Sequence, residues 1–145
     1  MKRISKDNYY LNIAKAVAAR STCLKRNYGC VIVNNDEIIA TGYNGAARGE
    51  PNCCDIHDTC PRMHVAHNSG DYSDCPAVHA EQNAMLSSSR QKMLGATLYL
   101  AGTETLPDGT IQDMTKCEPC PICRRMLRNA GIVRIIGPQN VTMKG

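Results

Sequence analysis

The chain of 145 residues contains no tryptophan and no phenylalanine. Any core must therefore be filled by Ile, Val, Leu, Met and Ala, and the 43% apolar content is enough for one packed core. No stretch approaches the ~18 apolar residues of a membrane span, so no transmembrane helix is expected. The opening segment MKRISKDNYYLNIAKAVAAR starts basic, but Lys6, Asp7 and Lys15 interrupt it. It lacks the unbroken apolar centre of a secretory signal, which points to a cytoplasmic protein. A strong charge imbalance is also missing. The formal net charge of +4 suits a small anionic ligand and does not call for nucleic acid. There is no internal repeat and no low-complexity tail, and the length suggests a single domain over residues 1–145.

Cysteine is what the chain has in excess. Nine is an odd number, so a fully paired disulfide set within one chain is impossible. In a cytosolic chain of this size, metal binding or catalysis is the better account.

Periodicity predicts the order α-β-β-α-β-α-β. Tyr10, Ile13, Ala14, Val17 and Ala18 recur at helical spacing, which predicts a helix over 5–20 capped by Ser5 or Asp7. CVIVNNDEIIATGYNG reads as a hairpin, with Val31–Val33, a turn at 34–36 and Ile38–Thr41. Residues 44–78 are rich in Gly, Pro, Asn, Asp, Cys and His, and a connection of that length is usually functional or tied down by something. A second helix is expected over 79–90, then the strand ATLYLA, a Pro-Asp-Gly turn within 102–116, a third helix over 120–129 closed by Gly131, and the strand IVRIIG.

The second and third helices begin with chemistry-bearing residues. One opens on His79-Ala80-Glu81, the other on Pro119-Cys120-Pro121-Ile122-Cys123. His79, Cys120 and Cys123 are three ligands of the type zinc prefers, leaving a fourth position for water. Glu81 is then free to take that water's proton and deliver it to a substrate. Helix N-termini favour thiolates and a carboxylate. A lone CxxC can be a redox pair, and a lone HxE arises by chance. A four-ligand structural zinc or a thiol switch would leave Glu81 without a task. The two motifs in this order form the signature H-x-E…P-C-x-x-C of zinc nucleobase deaminases.

The stretches RSTCLKRNYGCVIV, IIATGYNGAARG, NCC and CPAVHAEQNA together resemble the deoxycytidylate (dCMP) deaminase family, over most of residues 9–136. The resemblance implies an α/β fold, a three-layer α/β/α sandwich around a mixed sheet of four to five strands. It implies hydrolysis of dCMP to dUMP and ammonia by a zinc-activated water, with Glu81 as proton shuttle, supplying dUMP for thymidylate synthesis. The Ala80 amide would help hold the base. Asn44 would hold the sugar or base, although a turn residue tolerating positive φ explains it equally well. Arg20, Arg26 and Arg48 are the candidates to grip the phosphate. Family members often bind dCTP and dTTP as effectors and assemble as hexamers. Many carry a second, structural zinc, for which Cys23, Cys53 or Cys54, Cys60 and Cys75 are candidate ligands, with His57, His64 and His67 as rivals. Such an ion would order the 44–78 insertion. Cys30 reads as core, and Cys117 as packing near the site.

Three departures from the family pattern stand out. Ala46-Ala47 follow GYNG where a Pro is usual, the 102–116 segment is long, and the sequence stops at Gly145 soon after IVRIIG. Deamination of another cytidine nucleotide or nucleoside, deamination of adenosine in tRNA, and a non-catalytic zinc module are the competing readings.

Overall fold

The computed structural model describes residues 1–67, 70, 72, 75–140 and 142–144, the last three by backbone alone. Helix α1 spans Lys6–Ala18, and of the two candidate caps Ser5 fills the role, its hydroxyl accepting from the Asn8 amide at 3.1 Å. Strands β1 (Arg26–Asn34) and β2 (Glu37–Tyr43) form the expected hairpin, longer than the apolar run alone suggested. Asn35 and Asp36 both take positive φ (52° and 61°), as a tight two-residue turn requires. The 44–78 connection is gathered by a two-residue ladder between β3 (Gly45–Ala46) and β4 (Ala77–Val78), with a short helix α2 (Cys53–Ile56) between them.

The expected second helix is divided in two. Helix α3 (Ala80–Leu86) stops at Ser87, and α4 (Arg90–Met93) restarts after Ser89. The cause is three consecutive serines whose hydroxyls compete for the backbone. Ser87 Oγ donates to the Asn83 carbonyl at 3.0 Å, and Ser89 Oγ accepts from the Lys92 amide at 3.2 Å. Strand β5 (Thr97–Thr105) runs past ATLYLA and folds back through the 106–110 turn into β6 (Ile111–Asp113), so the long 102–116 segment is a small hairpin. Helix α5 (Pro121–Ala130) ends at Gly131 with φ of 94°. Strands β7 (Arg134–Ile136) and β8 (Thr142–Lys144) complete the order β2-β1-β5-β7-β8, with β6 added on β5. β1 and β5 pair antiparallel and β5 and β7 parallel, so the sheet is mixed.

Alternation along the strands builds two cores. Cys30, Ile32, Leu98, Leu100 and Ile135 face α3, α4 and α5 through Ala80, Ala84, Met93 and Leu127. Val31, Val33, Tyr99, Ala101 and Ile136 face α1 through Tyr10, Leu11 and Ala14. Helices therefore cover both faces, giving the three layers the sequence implied. Two glycines set how closely the helices approach. A Cβ at Gly29 would strike the Ala14 carbonyl and the Ala18 amide of α1, and one at Gly42 would strike the Ala80 carbonyl and the Ala84 amide of α3. Among the described residues, no helix is long and apolar enough to cross a membrane.

Candidate active site

α3 and α5 point their N-termini at one another, and each is entered by a cap residue in extended conformation. His79 caps α3, its amide donating to Gln82 Oε1 at 3.0 Å. Cys120 caps α5, its sulfur accepting from the Cys123 amide at 3.4 Å, and Pro121 fills the first turn where no donor is needed. This brings His79 Nδ1 to 3.3 Å from Cys123 Sγ and 3.7 Å from Cys120 Sγ. For tetrahedral zinc with ordinary bond lengths, an N···S edge of about 3.6 Å is expected. Among the described residues, this trio alone brings three candidate ligand atoms within 4.8 Å of one another.

Without an ion, the surroundings of His79 and Cys123 favour their neutral forms. Burial holds His79 below the usual imidazole range, favouring the neutral ring that binds metal. Burial pushes the Cys123 thiol up, and the nearby Glu81 carboxylate pushes it further. A divalent ion would reverse both effects by stabilising the thiolates. The donor set, one imidazole and two thiols with a carboxyl left over, therefore fits zinc.

Glu81 is 4% exposed, and burial raises its carboxyl to about 7 against hydrogen bonds from its own amide and from Cys123. A cavity of about 110 Å³ opens onto these groups, lined among others by Arg26, Tyr28, Asn44, His67, Ala80 and Leu100. Asn44 is buried and does not take positive φ, so the turn explanation fails. Its amide oxygen accepts from Ser21 Oγ (2.6 Å) and the Tyr28 amide (2.8 Å), and Nδ2 donates to the Arg26 carbonyl (2.8 Å). Asn44 thus knits the start of β1 to the end of β2 at the cavity wall. Of the three candidate phosphate ligands only Arg26 lines the cavity; Arg20 and Arg48 are exposed and do not.

Four of the remaining cysteines, Cys23, Cys53, Cys60 and Cys75, line one small cavity with Thr22 and Pro76, without bringing any three of their sulfurs within 4.8 Å of one another. Cys53 is buried while Cys54 is exposed beside Asp55, which separates the two. His57 and His64 do not line that cavity, and His67 lines the larger one instead. Burial raises Cys53 to about 11 and also raises Cys60, each with smaller contributions from the neighbouring thiols. Cys30 is core, and Cys117, raised to about 12 by burial and then Glu81, packs behind the carboxyl.

Sequence reasoning missed Lys25, Tyr28 and Glu104, and offered His67 only as a rival metal ligand, whereas it lines the larger cavity. Tyr28 carried a signal, since it lies two residues before Cys30 on the same face of β1. Glu104 carried none, because its link to Arg26 depends on strand register.

The comparisons with known proteins agree with this geometry. The family model "Cytidine and deoxycytidylate deaminase zinc-binding region" matches residues 4–137. A deoxycytidylate deaminase of Mycobacterium phage D29 is 37% identical over 96% of this chain and 98% of its own length. The deoxycytidylate deaminase of Schizosaccharomyces pombe is 36% identical over 92% of this chain, which spans only 37% of that longer protein. The crystal structure of a dCMP deaminase from cyanophage S-TIM5, in complex with dCMP and dUMP, superposes with a TM-score of 0.63 over 93% of this chain and 83% of its own, at 24% identity, a likeness of fold. A family match spanning nearly the whole chain and a His-Cys-Cys trio with an adjacent buried carboxyl lead to one assignment: the chain belongs to the cytidine and deoxycytidylate deaminase family.

Proposed function

We propose that this chain hydrolyses dCMP to dUMP and ammonia, providing dUMP for thymidylate synthesis. The observation that carries the reading is the Glu81 carboxyl, buried beside His79, Cys120 and Cys123 in a cavity that Arg26 also lines. His79, Cys120 and Cys123 would hold zinc, which when bound supplies Lewis-acid activation of a water at the open coordination position. Glu81 takes the proton that the attacking water gives up. It delivers that proton to N3 of the cytosine, which makes C4 electrophilic. It then carries the second proton to the 4-amino group, so that one water is consumed and ammonia leaves. A carboxyl raised to about 7 reaches both of its forms near neutral pH, as a shuttle must.

The chain's other residues orient the nucleotide. The Ala80 amide, in the first turn of α3, would donate to the base. Asn44 keeps one N–H beyond its bond to Arg26 and would offer it to a sugar hydroxyl. The phosphate contact is assigned to Arg26 rather than to Arg20 or Arg48. The chain is read as one domain over 1–145, and a second zinc on Cys23, Cys53, Cys60 and Cys75 would hold the 44–78 insertion in place. A hexameric homo-oligomer responsive to dCTP and dTTP is inferred from the family resemblance alone, and a cytoplasmic location from the charged opening segment.

Ammonia release and loss of cytosine absorbance with dCMP, cytidine and dCTP test the reading. Turnover of dCMP should exceed that of cytidine by about 100-fold or more in kcat/KM, because cytidine forgoes the charge-assisted contact between phosphate and Arg26. Comparable turnover of cytidine would remove the phosphate argument.

A further inference from the structure

Lys25 lies immediately before β1, outside the metal trio and outside the cysteine cluster. Its carbonyl accepts from the Thr105 amide at 2.7 Å, which fixes its backbone to the end of β5. Its ammonium reaches across 37 and 40 residues of sequence to donate to the carbonyls of Arg62 (2.7 Å) and Val65 (2.8 Å). Those carbonyls lie in a compact turn, in which the Met63 amide bonds the Cys60 carbonyl at 2.9 Å and the Val65 amide bonds the Arg62 carbonyl at 3.0 Å.

That turn has little apolar surface to hold it. His64, Val65, Ala66 and His67 are exposed and Met63 is only half-buried. It nevertheless delivers a buried side chain, Arg62, stacked 3.6 Å from the Tyr72 ring centre, and then His67, all three on the cavity wall. Two charge-assisted hydrogen bonds from a single ammonium are the kind of tie that can replace a missing hydrophobic anchor. Lys25 also lines the cavity itself, but both bonds described go to the loop and not into the opening.

We propose that Lys25 is a positioning residue, a clasp that seats the 60–67 turn and so places Arg62 and His67 on the wall of the nucleotide cavity. The proposal rests on the reading of that cavity as the substrate site only for its kinetic consequence. The clasp itself is a property of the protein without nucleotide.

The test is hydrogen exchange on zinc-loaded, nucleotide-free protein, comparing the original chain with Lys25→Met and Lys25→Arg. Lys25→Met keeps most of the aliphatic stem and removes the donor. Peptides covering 61–67 should exchange about 10-fold faster in Lys25→Met, with zinc content and exchange in α3 and α5 unchanged. Lys25→Arg retains the charge and N–H donors, though on a longer, planar group, so it should give a smaller acceleration in the same peptides. For dCMP the KM should rise about 10-fold in Lys25→Met with kcat within about 2-fold, since Glu81 and the trio are untouched. Unaltered exchange over 61–67 in both variants overturns the clasp. A raised KM with unaltered exchange overturns it as well, because Lys25 would then contact the nucleotide directly. Faster exchange in a protein whose original form does not turn over dCMP leaves the clasp standing and sinks the substrate assignment instead.

Discussion

The guanidinium of Arg26 meets the carboxylate of Glu104 at 3.2 Å across the β1–β5 ladder, where the two residues are register partners. Both side chains are mostly buried, at 19% and 24% exposure, and the Arg26 Nε is buried with no hydrogen-bond partner among the described residues. Glu104 therefore orients a cation at the cavity wall while leaving donor capacity for an incoming anion. Arg26→Met should raise the KM for dCMP about 30- to 100-fold, the equivalent of a lost charge-assisted hydrogen bond of about 2–3 kcal/mol. The KM for deoxycytidine should hardly move. Glu104→Gln should give a smaller rise, about 3- to 10-fold, since it loosens the guanidinium without removing it. Steady-state kinetics with the two substrates separates these outcomes.

Glu81→Gln tests the proton shuttle directly. The substitution keeps size and removes the ability to exchange a proton. With the trio intact, elemental analysis should find the same zinc content at the catalytic site. The kcat for dCMP should fall about 10⁴-fold, the upper range for a positioned acid–base group. A variant that retains full activity would place the proton transfer elsewhere.

The cysteine cluster makes a prediction about metal count. Elemental analysis of the original chain should give two zinc ions per chain. Cys60→Ser should lower this to one, with a drop in thermal midpoint and faster proteolysis within 44–78, because a structural zinc contributes folding free energy outright. Cys54→Ser, an exposed thiol outside the cluster, should leave the count at two. One zinc in the original chain would reject the second site.

What could be read from the sequence was the chemistry that is local along the chain. Cys120 caps the helix that carries Cys123, Pro121 fits its first turn and Gly131 its left-handed end, so spacing alone located one half of the trio. The other half, His79 and Glu81, was equally local. The break at Ser87–Ser89 was not placed by apolar spacing, because it is side-chain competition for the backbone that divides the helix. From GYNG, Asn44 could be a turn residue or a ligand contact, and its bonds to Ser21, Tyr28 and Arg26 could not be foreseen, because those partners lie 23, 16 and 18 residues away. Among Arg20, Arg26 and Arg48 nothing in composition favours one. Arg26 lines the cavity and begins β1, an interior strand of the sheet.

The turn at Asn35-Asp36 ties β1–β2 to α1 and carries a pH signature. Tyr10 donates its hydroxyl to Asp36 Oδ1 at 2.6 Å, and Lys6 donates to Oδ2 at 3.0 Å. The Tyr10 hydrogen bond, and then that of Lys6, hold Asp36 below the usual aspartate range. A depressed carboxyl stabilises the fold above its unfolded pKa of ~3.9 and loses that contribution as pH falls through the lower folded value. The same bond, and then burial, raise Tyr10 to about 12, so its contribution is complete below ~10 and fades as pH rises through the folded value. Tyr10→Phe should therefore lower the thermal midpoint by roughly 3 °C on a plateau between about pH 4 and 10. The gap from the original chain should narrow on both sides. Melting curves across pH check this, and a gap that is constant from pH 3 to 12 would detach the effect from Asp36.

Gly29 and Gly42 give a paired test of how the sheet positions the site. They lie close together on the β1–β2 ladder, where Gly42 is the partner of Cys30, and each lets a helix backbone come to rest on the strand. A methyl at Gly29 would push α1 through the Ala14 carbonyl, on the face away from the metal trio. A methyl at Gly42 would push α3 through the Ala80 carbonyl and the Ala84 backbone, and α3 is capped by His79 and carries Glu81. Both Gly29→Ala and Gly42→Ala should cost about 3 kcal/mol of stability, since the obstacles are backbone and cannot swing aside. Only Gly42→Ala should also change the chemistry. A displacement of α3 by a fraction of an ångström moves one metal ligand and the proton shuttle together, so zinc affinity should weaken and kcat should fall about 100-fold. In Gly29→Ala the folded fraction should keep its zinc and its kcat. Chemical denaturation gives the first quantity, and zinc titration with single-substrate kinetics below the melting range gives the second. Equal losses of kcat in the two variants would mean that the trio is not held by the seat of α3 on the sheet.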